Sequence, residues 1–91
     1  ISGGFREIGN DELEAALVTA AREGGVGIIG PNCQGINYPP NKLCVSWPLI
    51  KRRGGLALIS QSGTIAAALG DRAEKEGIGI SGLVALGNRC D

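Results

Sequence analysis

The spacing of apolar residues along the chain predicts a first amphipathic helix. This helix begins after Asn10, a favoured capping residue, and has Asp11 and Glu12 in its first turn, where acids face the positive end of the helix dipole. Its apolar residues recur at intervals of three and four positions, which predicts one buried face. These residues are Leu13, Ala16, Leu17 and Ala20. Gly24 and Gly25 are expected to end the helix.

A second helix is predicted over about residues 63–76. Ile65, Leu69 and Ala73 follow one another at steps of four residues and predict its buried face. Gly77 is expected to end this helix, because glycine readily takes the positive φ of a helix stop.

Three short apolar runs predict strands, and the first of them is uniformly apolar and suited to burial on both faces of a parallel sheet. They cover residues 26–29, 56–59 and 80–86. Residues 30–55 contain all four prolines and predict a long loop region with a short strand near residues 42–45. The order helix, strand, loop, strand, helix, strand predicts an α/β fold with a parallel sheet. Both ends are expected to cut through an α/β unit, which indicates a fragment of a longer protein.

The composition argues against several classes of function. Lys and Arg balance Asp and Glu at nine each, and the sequence has three aromatic residues, so a nucleic-acid surface is not expected. The three cysteines form no C-x-x-C pair and the chain has no histidine, which argues against a zinc site or a disulfide framework. No apolar run approaches 18 residues, so we expect no membrane span and a cytoplasmic protein.

The turn of residues 60–64, with the sequence SQSGT, lies between a predicted strand and a predicted helix. Amides at a helix start lack intrahelical acceptors, so the N–H groups from Ser62 to Ile65 and the hydroxyls of Ser62 and Thr64 suit a phosphate. The alternative is a plain serine cap worth about 1 kcal/mol, and both interpretations remain open. A serine nucleophile is not expected, because the chain has no histidine to activate it.

Residues 30–35, with the sequence GPNCQG, form a second candidate site. They follow the end of a predicted strand, which is the edge where open α/β sheets bind ligands. Asn32 offers an amide for directional hydrogen bonds, and Cys33 offers a small, soft side chain. The alternative is ordinary turn chemistry, since glycine, proline and asparagine are common in turns.

Five segments in this order resemble the NDP-forming acyl-CoA synthetase superfamily, which includes the α subunit of succinyl-CoA ligase. The segments are SGGF at 2–5 with Glu7, GPNCQGIN at 30–37, LISQSGT at 58–64, GIGIS at 77–81, and Gly87 and Asn88 with Asp91. The SQSG turn and the ending after Gly87 and Asn88 look more like the ADP-forming acetyl-CoA synthetases than succinyl-CoA ligase.

The resemblance implies a place for each segment. Residues 1–53 would be the C-terminal end of a CoA-binding Rossmann domain with a crossover loop, and residues 54–91 the start of a flavodoxin-like domain. Ser62, Gly63 and Thr64 would cradle a phosphate or a phosphohistidine. Asn32 and Cys33 would lie at the site of CoA and the acyl group.

The resemblance also implies the reaction, which interconverts acyl-CoA, NDP and phosphate with acid, CoA and NTP through a phosphohistidine. The cofactors would be CoA and ADP or ATP, with Mg²⁺ in a nucleotide-grasp domain or β subunit outside these residues. The histidine is expected beyond Asp91, so this chain would contain no catalytic residue and no metal site, and would be inactive alone.

Two other functions remain open at this point. The chain could belong to a CoA-binding regulatory module of an acyltransferase fusion, without phosphoryl transfer. It could also act only as a scaffold, with the serine turn serving as a helix cap.

Overall fold

The structure, a computed structural model, describes residues 2–91 and contains two helices and four strands. The helices are α1 (Asp11–Glu23) and α2 (Gly63–Lys75), and the strands are β1 (Gly35–Tyr38), β2 (Leu43–Val45), β3 (Arg53–Ser60) and β4 (Ile80–Ala85). Two short 3-10 turns lie at Arg6–Ile8 and Pro39–Asn41. In the described residues, neither helix is long and apolar enough to span a bilayer.

The four strands form one mixed sheet in the order β2-β1-β4-β3. Strands β3 and β4 are parallel and α2 connects them, which confirms the predicted α/β fold. Strand β1 was not predicted, and it pairs antiparallel with both β2 and β4. Its polar Asn37 is only 1% exposed and donates through Nδ2 to the Pro48 carbonyl oxygen over 3.2 Å. A buried polar residue interrupts the apolar pattern by which a strand is recognised.

The topology brings three loops to the same end of the sheet, where β3 and β4 finish and β1 begins. Ser60 at the end of β3 and Gly35 at the start of β1 both lie beside Ala85 at the end of β4. Because β1 runs antiparallel to β4, the loop that leads into β1 meets the turns that leave β3 and β4. This end of the sheet therefore brings together residues that are far apart in the sequence.

Helix α2 packs on the sheet through small residues. Ala66, Gly70 and Ala73 are its buried positions, and a Cβ at Gly70 would lie 2.7 Å from Ile50 Cδ1. The predicted face was therefore wrong for Ile65 and Leu69, which are 55% and 49% exposed. The small residues let the helix approach the sheet more closely than the larger ones would. The core itself consists of Ile50, Ala66, Ala73, Ile80, Leu83 and Ala85.

Helix α1 has the predicted start and end but not the predicted buried face. Asn10 Oδ1 accepts a hydrogen bond from the Leu13 amide over 3.1 Å, and Gly25 supplies the positive φ of 64° after the helix. Leu13 and Leu17 are 47% and 37% exposed, whereas Glu14 is 2% exposed. Glu14 Oε1 lies 2.7 Å from Arg6 Nε, so this charge is buried as part of an ion pair.

The predicted strand at residues 26–29 does not form. Within residues 2–91 no strand pairs with it, and Val26 and Ile29 are 62% and 43% exposed. An apolar run becomes a strand only where a neighbour takes its backbone hydrogen bonds. Strand β3 does form, but it is the edge of the sheet that residues 2–91 make, where Ile59 is 71% exposed instead of buried as predicted.

Candidate functional site

Both sites predicted from the sequence line one open groove of about 430 Å³ at the end of the sheet where β3 and β4 finish. We call its two walls the asparagine loop (residues 30–34) and the serine turn (residues 60–64). The groove is lined by Asn32, Cys33, Gln34, Trp47, Gln61, Ser62, Gly63 and Thr64. The described residues that line it carry no formal charge. A bound anion would therefore be held by amide and hydroxyl dipoles and by the N-terminus of α2.

The serine turn uses two of its hydroxyls to fix its own backbone. Ser60 Oγ accepts from the Ser62 amide over 3.1 Å and donates to the Ser62 carbonyl oxygen, also over 3.1 Å. Ser62 Oγ accepts from the Ile65 amide over 3.3 Å, which makes Ser62 the cap of α2. The helix-cap interpretation therefore holds for Ser62, and two of the four amides predicted to be free are occupied.

The other two amides of the turn are available to a ligand. The N–H groups of Gly63 and Thr64 have no acceptor among residues 2–91, and the Thr64 hydroxyl has no hydrogen-bond partner there either. Thr64 is exposed and lines the groove, as does Gly63. The turn thus combines a cap with two unpaired donors at a helix N-terminus, an arrangement that suits an anion.

Gly63 is required by a close approach between the two walls of the groove. A Cβ at this position would lie 2.5 Å from Gln34 Oε1 and 3.0 Å from Gln34 Cβ. Gln34 is 7% exposed, and its Nε2 donates to the Trp47 carbonyl oxygen over 2.9 Å. Gln34 therefore packs the asparagine loop against the serine turn.

The asparagine loop is fixed by residues from distant parts of the chain. Asn32, at a positive φ of 52°, donates through Nδ2 to Glu7 Oε1 over 3.1 Å and to Asn88 Oδ1 over 3.4 Å. Asn88 Nδ2 donates to the same Glu7 oxygen over 2.7 Å. The hydrogen bond from Asn88 is the largest cause that holds the pKa of Glu7 below its ordinary value, and the bond from Asn32 adds to it.

The segment that follows β4 is joined to the backbone of the same loop. The Asn88 amide donates to the Pro31 carbonyl oxygen over 2.9 Å, and the Cys90 amide donates to the Gly30 carbonyl oxygen over 3.1 Å. Gly87 has a φ of 59°, and a Cβ there would collide with the Pro31 carbonyl oxygen. Only glycine fits this crossing, since it needs both a positive φ and no side chain.

Cys33 is half-buried in the groove, where its thiol donates a weak hydrogen bond to the Ile29 carbonyl oxygen over 3.5 Å. The three cysteines of the chain, Cys33, Cys44 and Cys90, are free thiols. In the described part of the chain, no three Cys, Asp or Glu side chains gather in a way that could hold a metal ion. The polar groups of the lining side chains are therefore amides, hydroxyls, one thiol and the indole N–H of Trp47.

Comparison with known proteins gives this groove a family context. The family described as "Succinyl-CoA ligase like flavodoxin domain" matches residues 53–91. Over 94 residues and its whole length, the chain is 44% identical to the acetate–CoA ligase [ADP-forming] I subunit alpha of Pyrococcus furiosus. It is 40% identical over 92 residues to the acetate–CoA ligase [ADP-forming] of Methanocaldococcus jannaschii. The chain is thus similar over its whole length to members of the NDP-forming acyl-CoA synthetase superfamily.

A solved synthetase structure agrees with this assignment. All of the chain superposes, with a TM-score of 0.89 and 42% identity, on the dinucleotide forming acetyl-coenzyme A synthetase 1 of Ca. Korarchaeum cryptofilum in complex with phosphate and ADP. The chain spans 20% of that structure, and 20% and 13% of the two curated relatives. The resemblance to the ADP-forming branch is thereby confirmed, and the chain corresponds to one segment of these acid–CoA ligases.

The sequence identified Asn32, Cys33 and the serine turn as two separate candidate sites, which the structure brings together on one groove, but it gave no role to Gln34. Glu7 and Asn88 were noted only as part of the family resemblance, and their contact with Asn32 was not predicted. The sequence did contain a signal for Gln34. It lies beside glycines, which often mark a close approach of the backbone to another part of the fold. No local signal existed for Glu7, which is 25 residues from Asn32 and 81 from Asn88.

Proposed function

We propose that the chain is part of an NDP-forming acyl-CoA synthetase that interconverts acyl-CoA, NDP and phosphate with acid, CoA and NTP through a phosphohistidine. The observation that carries the proposal is the convergence in one groove of Asn32 and Cys33 with Gly63 and Thr64. A phosphoryl group passes between the acyl group and the histidine in this reaction. The two sets of residues therefore have to lie side by side.

In this proposal the Gly63 and Thr64 amides and the Thr64 hydroxyl hold the phosphate or the phosphohistidine, and Ser62 keeps the helix start in place. Phosphoryl transfer depends chiefly on positioning and on donors that are already oriented toward the developing charge. The chain has no histidine, so another segment of the protein would supply it. No catalytic nucleophile is assigned to these residues, and the chain alone would be inactive.

Asn32 and Cys33 would hold the thiol end of CoA and the acyl group. The fit is chemical, because the groove offers an amide and a thiol without a charged side chain, and the thiol end of CoA is itself uncharged. CoA supplies the thiol that carries the acyl group. Residues 1–53 would complete a CoA-binding domain, and residues 54–91 would begin the flavodoxin-like domain.

The other partners would be ADP or ATP with Mg²⁺, bound by a nucleotide-grasp domain or β subunit. We propose a cytoplasmic location, because nucleotide and CoA substrates are found there. The names of the relatives support ADP as the nucleotide, because both describe ADP-forming ligases.

The test is phosphoenzyme formation from ATP in the intact protein. Thr64→Ala should slow it about 100-fold, the usual effect of removing one preorganised donor. Thr19→Ala is the matched control, because Thr19 also lies on a helix surface and donates only to the Ala15 carbonyl oxygen. Equal rates for the two variants would contradict the cradle. Binding of CoA without any phosphoenzyme would instead favour a regulatory CoA-binding module.

A further inference from the structure

Asn32 lines the groove with an amide side chain whose two polar atoms have different tasks. Its Nδ2 is engaged by Glu7 Oε1 and Asn88 Oδ1, at 3.1 Å and 3.4 Å. Its Oδ1 has no donor within the part of the chain that the structure describes. The atom that Asn32 can offer to a ligand is therefore a carbonyl oxygen, which accepts hydrogen bonds and donates none.

Glu7 determines which end of the Asn32 amide is turned toward it. An ionised carboxylate only accepts hydrogen bonds, so it favours Nδ2 and would repel Oδ1 if the amide rotated by half a turn. The same Oε1 also accepts from Asn88 Nδ2 over 2.7 Å, which fixes the direction in which the carboxylate points. Hydrogen bonds to a charged acceptor are roughly twice as strong as neutral ones, so this orientation is well enforced.

The backbone near Glu7 is built around its carboxylate. The Glu7 carboxylate lies directly against Gly4, so a Cβ at Gly4 would displace it from its present position. The neighbouring Arg6 points elsewhere, since its Nε lies 2.7 Å from Glu14 Oε1. In residues 2–91, the side chains that donate to the Glu7 carboxylate are Asn32 and Asn88, and Glu7 itself does not line the groove.

We infer that Glu7 is a positioning residue that turns the Asn32 carbonyl oxygen toward the groove, where it accepts a hydrogen bond from an N–H or S–H donor of the CoA arm. The inference rests on the proposed function, because it takes CoA as the ligand. It adds a residue outside the groove, and it states the polarity of the contact. The arm of CoA that ends in the thiol carries two amide N–H groups and, when free, an S–H group, which match an acceptor.

The test uses the intact protein and compares Glu7→Gln with Glu12→Gln. Both variants remove one negative charge, and Glu12 is an exposed residue of the first turn of α1 that does not line the groove. Glu7→Gln keeps the shape of the side chain but lets an amide compete for the Asn32 carbonyl oxygen. We expect the dissociation constant for CoA to rise about tenfold in Glu7→Gln, because the hydrogen bond between the Asn32 carbonyl oxygen and the CoA arm is lost, and to stay unchanged in Glu12→Gln.

Two further measurements separate positioning from general damage to the fold. The KM for ADP and the rate of phosphoenzyme formation from ATP should be the same in Glu7→Gln and the unaltered protein. In the double variant Glu7→Gln with Asn32→Ala, the dissociation constant for CoA should equal that of Asn32→Ala alone, because Glu7 acts through Asn32. Parallel changes in the CoA and ADP constants, or additive effects in the double variant, would overturn the inference.

The inference and the proposed function can fail separately. An unaltered protein that forms no phosphoenzyme would contradict the proposed reaction, while its CoA affinity would still test Glu7 by direct titration. An active protein in which Glu7→Gln binds CoA as tightly as Glu12→Gln does would overturn the role of Glu7 alone. A protein that binds no CoA at all would overturn both.

Discussion

The two walls of the groove are held in place by different kinds of contact. The hydroxyl contacts of the serine turn join residues two or three positions apart: Ser60 with Ser62, and Ser62 with Ile65. The side-chain contacts of Asn32 in the asparagine loop reach across 25 positions to Glu7 and 56 to Asn88. One wall is therefore fixed by local sequence together with α2, and the other chiefly by the folded arrangement of three segments.

The two walls are therefore sensitive to substitutions at different places in the sequence. A substitution within the serine turn changes the turn itself, whereas the asparagine loop can be disturbed by substitutions far away in the sequence. Single substitutions and a change of pH can test that contrast.

Among single substitutions that add a methyl group, Gly87→Ala should disturb the asparagine loop most. The new Cβ would collide with the Pro31 carbonyl oxygen, which is backbone, and the residue would have to keep a φ of 59°. Strain at positive φ and overpacking together should lower the free energy of unfolding by about 3 kcal/mol. Thermal unfolding of the intact protein, with deuterium uptake at residues 30–34, measures the effect.

Gly25→Ala is the matched control for Gly87→Ala. Its φ of 64° is nearly the same, but its Cβ would have nothing within 4 Å. Gly25→Ala should lower the free energy of unfolding only through strain at positive φ, by about 1 kcal/mol. It should leave deuterium uptake at residues 30–34 unchanged. Equal losses for the two glycines would show that the crossing at Pro31 does not constrain the loop.

Gly63→Ala should have the next largest effect, and it tests the contact between the two walls. The new Cβ would meet Gln34 Oε1 at 2.5 Å, so we expect a loss of about 1 to 3 kcal/mol and slower phosphoenzyme formation. Adding Gln34→Ala removes that oxygen and leaves only the Cβ contact at 3.0 Å, so part of the stability should return. A double variant that is as unstable as the sum of the two single variants would contradict this packing.

Acid should loosen the asparagine loop while leaving the serine turn unaffected, and this is the smallest effect expected. The pKa of Glu7 is lowered from its ordinary 4.5 by hydrogen bonds that require the ionised form. A lowered folded-state pKa means that the stabilisation is fully present above pH 4.5 and is lost as the pH falls through the lowered pKa.

The measurement is the difference in deuterium uptake at residues 30–34 between the unaltered protein and Glu7→Gln, compared at equal pH. The difference should be constant above pH 4.5 and should shrink below it. Residues 60–64 should show no such difference, because the serine turn has no titratable hydrogen-bond partner among the described residues. A difference that stayed constant down to acid unfolding would contradict the role of the carboxylate.

The parts of the fold that local chemistry determines could be predicted from the sequence. The Asn10 cap, the stop after Glu23 and the start of α2 at Ser62 depend on residues within one turn of each other. The strand β4 was predicted nearly to its bounds, because Ile80 and Ala85 are fully buried in the sheet and the run between them is largely apolar.

The parts that depend on packing partners could not be predicted in the same way. Ile65 and Leu69 had the spacing of a buried face, but the small residues Ala66 and Gly70 are the ones that reach the sheet. The run at residues 26–29 had the composition of a strand but lacks a neighbour among the described residues. The candidate site followed the same rule, since its two motifs could be read locally but their convergence required the antiparallel strand β1.

The uncharged lining of the groove has a consequence for turnover. A fixed lysine or arginine at this place would deepen the energy well for a phosphoryl group and so delay its departure. Neutral dipoles give a shallower well, from which the group can leave for the next acceptor. In the proposed reaction, such a groove favours passage of the phosphoryl group to the next acceptor over its retention.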